Sequence, residues 1–188
     1  MSSSVTVKYP AFTLLHSPSS TILMSYVMIT PWTKPFLRWA GSKRSLLPEL
    51  LASVPQGYRS YIEPFAGSAC LFFALKPRRA VLGDINNELM RAYAVVAKHP
   101  RQVARAVQRI PNTEHSYLRL RAMNVEALDP LARTARFVYL NRHCFNAVYR
   151  TDRQGVFNVP RGTRTGELPP ESVFLRCSLA LSPTFEYV

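Results

Sequence analysis

The residues best suited to chemistry lie between positions 63 and 84. Glu63-Pro64-Phe65-Ala66-Gly67-Ser68-Ala69 sets a glycine-bearing turn between a short strand and an apolar run, and Asp84 follows Gly67 by 17 residues. A glycine there lets the main chain approach a ligand closely, and an acid at the tip of the next strand can accept both hydroxyls of an adenosine ribose. One glycine is too few for a dinucleotide fingerprint, and there is no Gly-Lys-Ser/Thr loop to cradle phosphates. A ligand with a ribose but no pyrophosphate fits best. Upstream, Phe36-Leu37-Arg38-Trp39-Ala40-Gly41-Ser42-Lys43 groups an aromatic, a small-residue turn and a lysine, which suits packing on a ligand's adenine or carboxylate end. Taken singly, such a glycine turn is more often a packing detail, and such a Trp is more often core.

Positioning these residues requires alternating strands and helices. Residues 45–54 have helical spacing, 60–63 form a short strand running into the glycine turn, 69–75 suit a buried helix, and 80–84 form a second strand. Asn86 is a plausible N-cap for a helix over 86–98, whose apolar residues at 89, 92, 93, 96 and 97 share one face and leave Glu88 on the exposed side. This β-turn-α-β-α order is half of a nucleotide-binding α/β unit. Residues 100–143 read as two or three Arg-rich helices, and 144–170 as turn-rich chain with strands, 156–159 being the clearest. The expected organisation is a poorly ordered leader over 1–33, an α/β part over 34–99, a basic part over 100–166 and a return segment over 167–188.

Charge points to a polyanion. The 188 residues carry 24 Lys and Arg against 11 Asp and Glu, a net +13. Residues 101–166 alone hold 12 Arg against four acids. Phosphate neutralisation supplies most nonspecific nucleic-acid affinity, although a basic surface can also serve only solubility. The three cysteines (Cys70, Cys144, Cys177) are odd in number and lack CxxC spacing. They predict neither a metal site nor a disulfide framework, and they suit a reducing, cytoplasmic compartment. With 47% apolar residues the chain is globular. No run of 18 apolar residues suits a membrane span, and Pro10, His16 and Pro18 interrupt any secretory core. The fold is expected to begin near Lys34, which makes 1–33 an upstream start or a dispensable leader.

Taken together, Trp-Ala-Gly-x-Lys, then Glu-Pro-Phe-x-Gly, then Gly83-Asp84-Ile85-Asn86 resemble the Dam-type (D12 class) DNA adenine-N6 methyltransferases. Tyr139-Leu140-Asn141-Arg142, Phe145-Asn146, Arg150, and the run Gly155 to Pro160 with Gly162 follow in the order of that family's target-recognition segment. The resemblance covers about residues 34–176. It implies a Rossmann-like S-adenosylmethionine-dependent α/β fold, its sheet incomplete in this chain, with a helical and β-hairpin recognition insert. It also implies S-adenosylmethionine as cofactor, held by Trp39, Ala40, Gly41, Lys43, Glu63, Pro64, Phe65, Gly67 and Asp84. Duplex DNA is the implied partner, met by Asn141, Arg142, Phe145, Asn146, Arg150, Pro160 and Arg161 in a monomeric protein. Phe145 and Asn146 match positions that fill the space of an extruded base, and Arg150 matches a base reader suited to guanine. The family more often has Gly where Ser42 and Ala69 stand, and close backbone approach survives there if the local φ is negative. A basic residue is commoner at Thr163, which has Arg161 and Arg164 as neighbours here.

The family's Asp-Pro-Pro-Tyr stretch, which holds the flipped adenine, is not found in these residues. The only Asp-Pro, Asp129-Pro130, precedes the recognition segment, and Pro169-Pro170 lacks an Asp. We therefore expect a truncated or frameshifted reading frame, with divergence near Cys177 or Ser178, and no catalytic residues in this chain. The function expected is adenine-specific DNA methylation, orphan or in restriction-modification. The alternatives are a non-catalytic DNA-binding derivative and a methyltransferase acting on RNA or protein.

Overall fold

The computed structural model describes residues 32–163 and 166–181, and the backbone of 185–187. Most of the expected leader lies outside the described residues. Of its last two positions, Thr33 is buried and Trp32 lies under the guanidinium of Arg44, 5.7 Å from the ring centre.

Three short parallel strands, β1 (Tyr61–Glu63), β2 (Ala80–Leu82) and β3 (Phe185–Tyr187), lie in the order β1-β2-β3. Tyr61 is in register with Ala80 and Glu63 with Leu82, while Ala80 is in register with Phe185. Among the described residues seven α-helices accompany them: α1 (Leu47–Ala52), α2 (Cys70–Leu75), α3 (Asn87–Lys98), α4 (Pro100–Gln108), α5 (Glu114–Ala122), α6 (Pro130–His143) and α7 (Glu171–Leu181). The class is α/β. The strand–turn–helix–strand–helix order expected over 60–98 is present, α2 bridging β1 and β2.

Local chemistry sets the helix starts. The Asn86 carboxamide oxygen accepts from the Leu89 N–H at 3.1 Å, so the expected cap is in place. Thr113 caps α5 through the Ser116 N–H. Asp129 accepts from the N–H groups of Leu131 and Ala132, with Pro130 in the first turn of α6. Asp129-Pro130 is thus a helix start, where the proline's missing N–H costs nothing.

One core runs across residue 99. Phe36, Phe72, Phe73, Leu82, Leu89 and Tyr93 pack with Val103, Val107, Phe137, Val138, Phe174 and Cys177. Helix α7 continues through Cys177 and Ser178 to Leu181, with Cys177 fully buried. A second cluster, Tyr117, Leu120, Tyr139, Leu140, Cys144, Phe157 and Val159, fastens the chain after α6 onto α5 and α6.

Two sequence expectations are corrected here. Glu88 is not on an open face: Arg133 grips its carboxylate through Nε and Nη2, the latter at 2.6 Å, and also holds Glu126. The segment 156–159 is no strand. Its arm meets residues 144–151 through two isolated antiparallel bridges, Cys144 with Arg161 and Thr151 with Phe157. A continuous ladder is broken by a 3₁₀ turn at Phe145–Ala147, in which Asn146 and Ala147 have φ of +51° and +55°, and by Pro160, which has no N–H to donate.

Candidate cofactor turn and nucleic-acid interface

The turn after β1 is built around Gly67. The Gly83 N–H donates to the Glu63 carbonyl at 2.9 Å and the Ala66 N–H to the Gly83 carbonyl at 2.8 Å, which stitches the two strand ends together. One Asp84 oxygen accepts from the Gly67 N–H and the other from the Asn86 N–H, both at 2.9 Å. The Tyr93 hydroxyl, buried in α3, donates to the Gly67 carbonyl at 2.6 Å. Gly67 has φ of +49°, and a Cβ there would meet Trp39 Cδ1 at 2.8 Å. Glycine is needed at this position for both its backbone angle and the indole against it.

The Trp39–Lys43 segment lies over this turn. The Ser42 N–H donates to the Trp39 carbonyl at 3.1 Å, the Ser42 and Ser68 hydroxyls are bonded at 2.9 Å, and Lys43 Nζ donates to the Gly41 carbonyl at 3.0 Å. Ala40, Gly41 and Lys43 are exposed. Ser42 has φ of −52°, as close approach requires, but Ala69 has φ of +49°. The alanine thus holds a left-handed position that favours glycine, at a backbone cost of about 1–2 kcal/mol.

Around the turn the surface is part charged and part apolar. The Glu63 carboxylate, half-buried, accepts from the Tyr61 hydroxyl at 2.8 Å. Burial raises its pKa, against the opposing pull of that hydrogen bond and of Lys43. Pro64 is exposed, Phe65 is 86% exposed and Ile85, next to Asp84, is 99% exposed. Each Asp84 oxygen takes one N–H and keeps a lone pair for a hydroxyl. A carboxylate with spare acceptors, beside apolar side chains open to solvent, can hold a ligand bearing a diol and a flat ring. A cavity of about 350 Å³ lies elsewhere, between α3 and α6, with Glu88, Leu128, Arg133 and Phe137 among its walls. Its charged groups are already joined in the Glu88–Arg133–Glu126 network, so the open turn is the better cofactor candidate.

The seven residues expected at DNA are not all on one surface. Asn141 is fully buried; its Nδ2 donates to the Arg38 carbonyl at 2.6 Å and its Oδ1 accepts from the Arg38 N–H at 2.9 Å. It clamps α6 to the residue before Trp39, and its burial withdraws it from any base or phosphate. Arg142 is half-buried with Nε unpartnered, and burial, reinforced by Arg38, pushes its guanidinium down to about 10. Arg161 bonds Asn112 through Nη2 while its Nε is buried without a partner. Phe145, Asn146, Arg150 and Pro160 are exposed. The Phe145 N–H donates to the Pro160 carbonyl at 2.9 Å, which brings those two together, and Arg150 Nε donates to Asn158 Oδ1 at 3.2 Å. At the tip, Asp152 accepts from the N–H groups of Gln154 and Val156, with Gly155 at φ of +80°. Among the described residues, none of Arg38, Arg142, Arg150 and Arg161 has an acidic partner.

Several residues of this region escape a reading of the sequence. Tyr93 belongs to the apolar stripe of its helix, yet its hydroxyl fixes Gly67. Tyr149 stacks on Trp39 with rings 6.1 Å apart and 15° from parallel, although 110 positions separate them. Ile85 has a legible signal, since an apolar residue directly after Asp84 sits at the mouth of the same turn.

The architecture and the paired turn and basic arm define a class, and the sequence comparisons give it a name. Residues 39–171 match the D12 class N6 adenine-specific DNA methyltransferases, and the chain belongs to that family. It is similar to the type II methyltransferase M1.LlaDCHI of Lactococcus lactis subsp. cremoris, at 36% identity over 135 residues, covering 69% of this chain and 48% of that protein. The type II methyltransferase M.MjaIII of Methanocaldococcus jannaschii is 32% identical over 153 residues, covering 69% of this chain and 52% of its own length. The DNA adenine methylase of Escherichia coli strain K12 is 32% identical over 143 residues, covering 74% and 51% respectively. The chain spans about half the length of these curated relatives. Among the described residues no helix is long and apolar enough to cross a membrane.

Proposed function

We propose that this chain carries the S-adenosylmethionine-binding and target-recognition parts of a DNA adenine-N6 methyltransferase. In it a Rossmann-like sheet over 34–99 supports a recognition insert over 100–166, and residues 167–188 return to the sheet. The observation that carries this is the Gly67 turn, closed by one oxygen of Asp84, whose other oxygen holds the Asn86 N–H, and covered by Trp39. The cofactor supplies a methyl group on a sulfonium to the exocyclic nitrogen of adenine. Asp84 would take the ribose hydroxyls, and Phe65 and Ile85 would offer apolar surface to the adenine ring. Pro64 and Gly67 would form the loop at the methionine part, with Glu63 and Lys43 available to its ammonium and carboxylate. Ala40 and Gly41 keep the approach open.

On the DNA side, Phe145 and Asn146 enter the space of the extruded base, Arg150 reads a base edge, and Arg142, Pro160 and Arg161 follow the backbone. Asn141 supports this surface by holding Arg38. The protein acts as a monomer on duplex DNA in the cytoplasm, in DNA modification or in restriction-modification. Three buried free thiols suit that compartment. No Asp-Pro-Pro-Tyr occurs in residues 1–188, so binding of both substrates is proposed for these residues and transfer for the whole enzyme.

The test is a competition assay on duplex DNA across salt concentrations, paired with transfer of a labelled methyl group. Binding should fall steeply between low and physiological salt, with no transfer by the 188-residue polypeptide. Arg150→Ala should lose ~1–3 kcal/mol of discrimination between sequences and little total affinity. Salt-insensitive binding would overturn the DNA part. Robust transfer would show that another residue set holds the adenine.

A further inference from the structure

The cofactor turn and the recognition arm share one aromatic stack. Trp39 lies against Gly67, where a Cβ would come within 2.8 Å of its ring. It is also stacked with Tyr149, 6.1 Å between ring centres and 15° from parallel, and meets Phe137 at 6.3 Å. Tyr149 in turn packs on Phe157 at 4.7 Å and on Phe137 at 4.6 Å, and its hydroxyl lies beside the buried Arg136. Phe157 bridges Thr151 across the arm, and Tyr149 directly precedes Arg150. Arg136 reaches the carbonyls of Leu120 and Arg121 at the end of α5. The arm has only two isolated bridges of its own, so its position depends on such side-chain contacts more than on a ladder.

We propose that Tyr149 is a positioning residue that fastens the recognition arm to the cofactor turn through Trp39, so that filling the turn and steadying Arg150 are coupled. The proposal rests on the functional reading above. Trp39 touches both elements, and a ligand seated on the closed Gly67 turn removes freedom from the indole against it. Trp39 then presents a fixed surface to Tyr149. The second ligand meets an arm that is already ordered and gives up less entropy on binding. Linkage makes the effect reciprocal, so the cofactor raises DNA affinity by the same factor by which DNA raises cofactor affinity.

Two measurements on the full 188-residue chain test this. In the first, S-adenosylhomocysteine is the unreactive cofactor probe, and the DNA is the duplex that the wild-type chain selects from a randomised pool. Each ligand's affinity is measured with and without the other. The wild-type chain and Tyr149→Phe, which keeps the ring, should show equal factors of at least about fivefold in both directions. In Tyr149→Leu both factors should fall to within twofold of unity, while cofactor affinity without DNA changes less than threefold. The second measurement is amide hydrogen exchange on the ligand-free protein. In Tyr149→Leu the Gly67 amide, bonded to Asp84, should exchange at least fivefold faster together with the Asn158 amide of the arm.

If Tyr149→Leu retains the wild-type factor, or loosens Asn158 while leaving Gly67 fully protected, Tyr149 is a local packing residue and the proposal fails. Loss of coupling in Tyr149→Phe as well would move the role from the ring stack to the hydroxyl and also overturn it. If the wild-type chain binds neither probe, the functional reading itself fails, and this proposal falls with it.

Discussion

The turn at Gly67 and the arm over 144–163 handle polar groups in opposite ways. At the turn, the Gly67 N–H, the Gly67 carbonyl, the Asn86 N–H and both Asp84 oxygens are all engaged within the chain. The arm and the end of α6 that leads into it leave Arg142 and Arg161 with buried, unpartnered Nε groups and Arg150 bonded only to a neutral amide. A small ligand is best met by a frame already closed, because each group that need not reorganise adds to affinity. A polyanion is met by cations that nothing in the protein neutralises, since an internal carboxylate would compete with the phosphate. The cost is local instability from desolvated charge.

Gly67→Ala attacks the closed side and should have the largest effect. The new methyl meets the Trp39 ring and φ is +49°, so about 2–4 kcal/mol of stability should be lost, along with cofactor binding. Urea denaturation and cofactor titration measure the two losses.

Arg142→Met attacks the open side. It removes a poorly partnered guanidinium while keeping the stem's volume, so stability should hold or rise, whereas DNA affinity should fall about tenfold and the salt slope should flatten by about one contact. A clear loss of stability would mean that this arginine is structural and the contrast is false.

His143 sharpens the same contrast through pH. Its ring is buried beside Tyr139 with Nδ1 2.9 Å from that residue's carbonyl oxygen, and its pKa is held below the ordinary value by burial, with Arg161 and Arg142 adding to it. A folded-state pKa below the unfolded one gives stability that is present above about pH 6.5 and lost as pH falls through the folded value. The free energy of unfolding should decline less in His143→Asn than in the wild type over that window. Parallel curves would show that the imidazole takes up its proton equally in the folded and unfolded states, against the burial argument.

The smallest effect concerns Ala69. Ala69→Gly relieves a left-handed alanine but exposes a small void at a fully buried site, so a net gain of no more than about 1 kcal/mol is expected in thermal denaturation.

Local signals were the legible ones. Asn86 caps its helix because a short polar side chain before an apolar stripe needs only its own next turn. The Gly67–Asp84 pairing could be read because βαβ geometry brings the ends of adjacent strands together. Asn141 sits within a recognition motif, but its partner Arg38 is 103 residues away, and nothing near it in sequence announces the clamp. Glu88 is hidden by Arg133, 45 residues on. The stripe in its helix marks one buried face and is silent about a second helix laid on the flank. The arm's β-rich composition suggested a strand, but two left-handed residues and a proline decide against a ladder. Ala69 shows the limit of substitution logic: a small residue was legible, the sign of its φ was not.

The most direct test is calorimetric titration of S-adenosylmethionine into the 188-residue chain, into Asp84→Ala, and into Glu49→Ala as an exposed control. Asp84 closes the turn and keeps acceptors for the ribose, so its loss removes hydrogen bonds to a charged group, each worth about 1.5–3 kcal/mol. One saturable site is expected in the wild type and in Glu49→Ala, with affinity at least about tenfold weaker in Asp84→Ala. Equal affinity in Asp84→Ala, or no binding by the wild-type chain, would contradict a cofactor site at the Gly67 turn.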